Sequence, residues 1–265
     1  MTADSGTATA LDGLLTDLAT GRVEIVDLTN RLSSATPTLE LPAPFANLID
    51  FSLETVSEYD EPGPFWKHAN IHTGEHIGTH IDAPIHWVSG RDSHDVADIP
   101  LPRLIGPAVV LDFSAEAAAD PDFLLEVEHV RAWEEEHGPL PAAGWVLYRT
   151  GWDRFAQDRE RFLNADAAGS HTPGVSAACA EWLAGTGIAG FGVETVGIDA
   201  GNAGVLEPPF PVHYHLMGSD KYGITSLQNL SRLPVRGAVI IVAPLPIVGG
   251  TGSPARVLAL VPRGS

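Results

Sequence analysis

Leu11, Leu14, Leu15 and Leu18 recur at the i, i+3, i+4, i+7 spacing of one helical face, and Gly21 follows as a stop. The chain is therefore predicted to open on a short helix. Residues 23–28 (VEIVDL), 108–113 (AVVLDF), 145–148, 188–198 and 238–245 are β-branched runs bounded by Gly or Pro, and read as strands. Helical patterns lie between them at 126–137, 152–163 and 173–183, the last opened by the Thr172-Pro173 start signal. Strand and helix alternate without a break in composition, which predicts one α/β domain over residues 1–259 and no linker. Residues 36–64, rich in Pro and polar side chains, are expected to form a long, partly irregular loop. The final six residues, 260–265, read LVPRGS, the form of a protease-cleavage linker, and are set apart from the domain.

The charge balance narrows the function. With 34 Asp+Glu against 15 Lys+Arg, the formal charge is -19, and the basic residues are scattered. Such a chain repels phosphate backbones and anionic headgroups, so neither nucleic acid nor a membrane surface is an expected partner. The longest apolar run, 237–248, carries two prolines and falls short of the ~18–20 residues of a membrane span. A hydrophobic content of 44% is enough for a sizeable core. One cysteine, Cys179, rules out an intramolecular disulfide, and residues 1–22 lack a basic-then-apolar leader. A cytoplasmic setting is the expectation.

Several familiar motifs fail on context. Gly185, Gly187 and Gly190 match GxGxxG, and Gly250, Gly252 and Ala255 nearly do. The first follows a helical pattern and enters a strand; the second has no helix after it. A dinucleotide site needs the reverse order, so that a helix N-terminus meets the pyrophosphate. Neither lysine, Lys67 nor Lys221, follows glycine as a phosphate-binding loop requires, and no GxSxG is present. Cys179, in the apolar helix VSAACAEWL, reads as a core residue and not as a nucleophile.

The histidines are distributed differently. Six of 11 (His68, His72, His76, His80, His86 and His94) fall within 27 residues. Among them His76, His80 and Asp82 combine imidazole and carboxylate donors, the mixture that suits Zn or Mn. A straight strand would hold His76 and His80 ~13 Å apart, and one helix would aim Asp82 away from both. The chain must bend, and Gly78 and Pro84 are placed to let it. His68, His72 and His94 lie outside this pattern, while His129 and His137 sit on a charged, solvated helix face.

The string HxGTHxDxPxH, filled by His76, Gly78, Thr79, His80, Asp82, Pro84 and His86, resembles the signature of the metal-dependent cyclase/amidohydrolase family that includes bacterial kynurenine formamidase and isatin hydrolase. The resemblance continues through Asp27-Leu-Thr29, Leu104-Ile-Gly-Pro107, Gly197-Ile-Asp199, Pro208 to Pro211 before His213, Ser226 to Leu230 and Gly252 to Val257, and with Trp87 these segments look more like the isatin hydrolase branch. It implies an α/β fold of the swivelling β/β/α type, commonly a homodimer whose partner residues line the pocket. His76, His80, Asp82 and the amide oxygen of Gln228 would ligate one Mn or Zn ion. The formamidase branch has glutamate where this chain has Gln228, and loss of that charge favours one ion over two. His213 would line the site, though in the two-metal branch its position ligates; His215 is a weaker candidate.

His86 is expected to act as general base, with a fourth-ligand role as the alternative. Phe65, Trp66 and Trp87 are candidates to stack on a planar ring, or ordinary core. Together these imply a hydrolase that opens a small aromatic cyclic amide, isatin, to isatinate through a metal-activated water. Kynurenine formamidase-like, lactonase or polyketide-cyclising activity, and a non-catalytic metal or small-ligand binding protein, are the alternatives.

Overall fold

Alternate residues of two adjacent strands face two separate cores. Ala108, Val110, Trp145 and Leu147 belong to one, while Val109, Leu111, Val146 and Tyr148 belong to the other. A sheet apolar on both faces needs cover on both, and the chain meets that need in two ways. One face curls round on itself; the other is covered by helices.

The computed structural model describes residues 9–41, 44–167 and 169–263. Its strands are β1 (Val23–Asp27), β2 (Ser52–Glu58), β3 (Lys67–His72), β4 (His80–Asp82), β5 (Ile105–Asp112), β6 (Leu124–Leu125), β7 (Trp145–Arg149), β8 (Gly174–Val175), β9 (Gly190–Val193), β10 (Tyr222–Thr225), β11 (Arg236–Pro244) and β12 (Gly252–Pro262). The helices are α1 (Ala10–Ala19), α2 (Ser114–Ala119), α3 (Val127–His137), α4 (Arg159–Leu163) and α5 (Ala177–Ala184). The main sheet runs β1-β12-β11-β5-β7-β9-β10-β4, and β4 pairs back to β12. Seven strands thus close into a barrel, with β1 outside the ring beside the far end of β12. The segment β5-β7-β9-β10 is parallel and the remaining pairings are antiparallel. Inside lie Val26, Ile81, Leu147, Tyr222, Ile224, Ile240 and Val257; outside, Val130 and Trp133 of α3 and Cys179, Ala180 and Leu183 of α5 cover the parallel strands.

The expected α/β class holds, with the opening helix, four of five strands and the 126–137 helix close to their expected bounds. Other elements differ. The 188–198 strand narrows to β9, because beyond Val193 the chain turns and Glu194 accepts the backbone N–H of Thr150 at 2.8 Å and of Trp152 at 3.2 Å. The 152–163 helix is a 3-10 turn, Trp152–Phe155, followed by α4, which restarts where the Asp158 carboxylate accepts Arg161 N–H. Thr172-Pro173 does not open α5. Gly174 and Val175 pair with β6, and Ser176 caps the helix by accepting Cys179 N–H. The expected 36–64 loop contains β2, which pairs with β3 in an exposed hairpin. At the C-terminus, β12 carries Leu260, Val261 and Pro262 opposite Ile25, Glu24 and Val23, so the LVPRGS segment begins inside the sheet.

The GxGxxG glycines serve packing. Gly185 ends α5, and a Cβ on Gly190 would lie 2.4 Å from the Trp145 ring. Cys179 is buried, and burial pushes its thiol up to about 12, as a core residue requires. Among the described residues no helix is long and apolar enough to cross a membrane.

Leu147 is fully buried inside the barrel. Leu147→Ala is expected to lower unfolding free energy by about 2–5 kcal/mol, read as a drop in the urea midpoint at constant m-value.

Candidate metal centre

β4 is three residues long, and its pleat decides the site. His80 and Asp82 project to one side, while Ile81 enters the barrel core. The strand lies between β10 and β12, with Gly223 and Gly252 directly opposite Asp82. A Cβ on Gly223 would approach Asp82 Oδ2 to 2.9 Å, and one on Gly252 would approach His76 Cε1 to 2.5 Å. The two glycines keep open a space that side chains would fill.

Gly78, at φ +61°, supplies the bend expected from the sequence. It brings the His76 and His80 rings to 5.1 Å, perpendicular to each other. Pro84 then opens a one-turn 3-10 helix, Pro84–His86, that stacks His86 on His76 with centroids 4.0 Å apart. The donor atoms of His76, His80 and Asp82 all lie within 4.8 Å of one another.

Hydrogen bonds fix which ring atoms face inward. Thr251 Oγ1 donates its single proton to Glu75 Oε2 at 2.6 Å, so His76 Nε2, 2.8 Å from that oxygen, is the donor in its contact. His76 Nδ1 is then left facing Asp82 Oδ1 at 2.8 Å, where a proton or a cation must separate the two acceptors. His80 Nδ1 donates to Gly78 O at 2.8 Å, leaving Nε2 to face Asp82 Oδ1 at 3.4 Å. Such separations suit donors gathered on one ion at ~2 Å bond lengths. Asp82 is 1% exposed, and its Oδ2 has no hydrogen-bond partner. A buried, unpaired carboxylate oxygen is costly unless a cation meets it. The residues present therefore fit a divalent ion.

The electrostatics of the neighbours differ. Burial alone would raise the Asp82 carboxyl, but hydrogen bonds and charge from His76 and His80 hold it well below the usual range. Burial, reinforced by His76, His213 and His80 against Asp82, takes His86 down to about 3. Burial opposes the His213 imidazolium too, yet its hydrogen bond to Asp199 and the charges of Asp199 and Asp82 raise it above the ordinary value.

The expected site residues divide into two groups. His76, His80, Asp82, His86, Trp87 and His213 come together: the His86 and His213 rings are 5.3 Å apart, and Trp87 stacks on His213 at 4.6 Å. Trp87 thus has one face on an imidazole and its edge toward Phe210. Gln228 follows the β10 end that pairs with His80; its Nε2 donates to Leu227 O at 3.1 Å, and among the described residues none hydrogen-bonds Oε1. Phe65 and Trp66 stand at the tip of the exposed β2–β3 hairpin, 84% and 50% exposed, without contact to the triad. His215 contacts Tyr214 and lies outside the cluster. His129 is not on a solvated face: it packs between Phe113 and Phe123, with Nδ1 accepting Glu126 N–H.

Thr251, Thr225, Asp199 and Glu75 were missed by sequence reasoning. Thr225 Oγ1 touches His80 Nδ1 at 3.0 Å, and Asp199 Oδ2 lies 2.5 Å from His213 Nδ1. Their available signal was position: Thr251 and Thr225 directly precede segments that carry the family resemblance, and Asp199 ends one. Thr251→Val is expected to weaken metal binding by about 10- to 100-fold, because it frees the outer nitrogen of His76. Competition against a chromophoric chelator measures this, and an unchanged affinity would contradict the assigned ring orientation.

Comparison with known proteins agrees with this geometry. Residues 26–200 match the Cyclase family model, described as "Putative cyclase". Isatin hydrolase from Roseibium aggregatum is 48% identical over 257 residues, covering 96% of this chain and 98% of its own. Kynurenine formamidase from Salinibacter ruber is 30% identical over 192 residues, 71% of this chain and 76% of its own. A crystal structure of an isatin hydrolase bound to the product analogue thioisatinate is similar at TM-score 0.94 and 47% identity, covering 99% of this chain and 100% of that one. Isatin hydrolase A from Ralstonia solanacearum is similar at TM-score 0.93 and 46% identity, over 98% and 100%. With the signature strand at the barrel seam and matches along nearly its whole length, the chain belongs to the cyclase family, alongside isatin hydrolase and kynurenine formamidase.

Proposed function

We propose that this protein is a metal-dependent hydrolase that opens the five-membered lactam of isatin to isatinate. The observation that carries the reading is the buried His76-His80-Asp82 cluster with its unpaired Asp82 oxygen, in a chain aligned nearly end to end with isatin hydrolase. His76 Nδ1, His80 Nε2, Asp82 and Gln228 Oε1 would hold one Mn or Zn ion. When bound, such an ion acidifies water and polarises a carbonyl.

The chain's own groups handle the protons. His86 has no hydrogen-bond partner on either ring nitrogen among the described residues, and its value of about 3 keeps it neutral near pH 7. It is therefore available to take a proton from the attacking water and pass it to the nitrogen that leaves as the C–N bond breaks. Trp87 and His213, stacked on each other, form a flat wall beside that nitrogen's path. The strained lactam and adjacent ketone make the carbonyl electrophilic, so one cation is sufficient for the chemistry.

Phe65 and Trp66 enter this scheme through a second copy. The hairpin that bears them also exposes Leu53 and Ile71, an apolar surface consistent with a homodimer in which each hairpin reaches the partner's pocket. A lone, buried Cys179 is consistent with a reducing cytoplasm.

Loss of isatin's visible absorbance provides the direct test. Metal-loaded protein should bleach it, and an unchanged spectrum over hours alongside turnover of a lactone or polyketide would sink the isatin assignment. His86→Ala should lose at least about 100-fold in kcat while keeping its metal; loss of the ion as well would make His86 a ligand. Sedimentation should give twice the monomer mass. Elemental analysis after purification without metal-affinity chromatography identifies the ion.

A further inference from the structure

Asp199 is 6% exposed, and its two oxygens have separate partners. Oδ1 accepts Val212 N–H at 2.7 Å. Oδ2 meets His213 Nδ1 at 2.5 Å and also accepts His213 N–H at 3.2 Å. An ionised carboxylate has no proton to give, so the hydrogen in the ring contact belongs to Nδ1. The opposite nitrogen, Nε2, lies 3.9 Å from Asp82 Oδ2, the unpaired oxygen of the metal-binding group. Trp87 stacks on one face of the ring at 24° between planes, and His86 lies beside it, so the ring is held against rotation.

We propose that Asp199 is a positioning residue that locks His213 in its Nδ1–H tautomer, so that Nε2 presents a lone pair to the reaction space. His213 then accepts an N–H or O–H hydrogen there, and Asp199 acts only through it. The backbone contacts make the geometry robust: the same carboxylate that sets the tautomer also anchors the first turn of the π-helical segment His213–Met217, so ring and backbone move together. This inference rests on the hydrolase reading for its catalytic consequence, but not for the tautomer itself.

Asp199→Asn separates the two jobs. The amide oxygen still accepts Val212 N–H, the shorter of the two backbone contacts, while the NH2 group in place of Oδ2 gives up the 3.2 Å contact with His213 N–H, donates to Nδ1 and forces the proton to Nε2. In nitrogen-15 spectra of the zinc-loaded full chain at alkaline pH, the His213 ring should show a protonated Nδ1 in the parent and a protonated Nε2 in the variant. The variant's kcat on isatin should fall by about 100-fold or more, as expected for a wrong tautomer, with metal content and melting temperature retained. In a His213→Gln background the same substitution should cause no further loss.

A parent spectrum with protonated Nε2, or an Asp199→Asn loss that persists undiminished without His213, would overturn the proposal. Should the variant fail to fold, the parent spectrum still decides the tautomer. If the parent leaves isatin untouched, the substrate assignment fails while the tautomer measurement stands.

Discussion

The structure depends on burying one carboxylate at the barrel seam. Asp82 sits on the short strand that joins β10 to β12, with both cross-strand neighbours glycine, so neither neighbour carries a side chain into the space beside it. Moving a charged carboxylate out of water costs several kcal/mol even after relaxation. Two imidazoles meet one oxygen, and among the described residues none hydrogen-bonds the other. Closure of the barrel therefore also brings the candidate cation site together, and the binding energy of an ion held there would become folding energy. Ile81, between the two donors, drives this closure by entering the core, so the hydrophobic effect holds the donors where electrostatics alone would scatter them.

How much of this was legible in the sequence follows from chain distance. His76, His80, Asp82 and His86 lie within eleven residues, and the need for a bend at Gly78 can be reasoned from strand geometry alone; its φ of +61° is that bend. Thr251 is 175 residues from His76, and Thr225 is 145 from His80. Only strand pairing across the seam brings them in, and register is not visible in a single chain of apolar runs. The hairpin that begins in 36–64 was hidden for a related reason: β2 and β3 are almost wholly exposed, so no burial pattern marks them. The false helix start at Thr172-Pro173 failed because tertiary pairing of β8 with β6 outweighed a local signal that Ser176 also satisfies.

Charge at the centre bears on how many ions it could hold. Asp82 is the only carboxylate in the described donor group, and the additional position suggested by resemblance is the neutral Gln228. Two dications a few ångströms apart repel strongly at the low effective dielectric of a buried site. Bridging both with Asp82 alone would leave most of that repulsion uncompensated. On the proposed ligand set the charge would suit one ion, which would leave His213 outside the coordination sphere.

Chemically identical rings acquire different tasks from what holds their outer nitrogens. His76 is held by a hydroxyl and His80 by a backbone carbonyl, partners that orient a ring through a dipole and leave the inner nitrogen turned toward Asp82, where a metal would meet it. His213 is held by a carboxylate, which adds a full negative charge, raises the ring above its ordinary value and keeps the proton of the neutral ring on Nδ1. His86 has no such partner and is kept neutral by burial. The family signature specifies where imidazoles stand; Thr251, Gly78 and Asp199, which hold their far sides, specify which nitrogen each one presents.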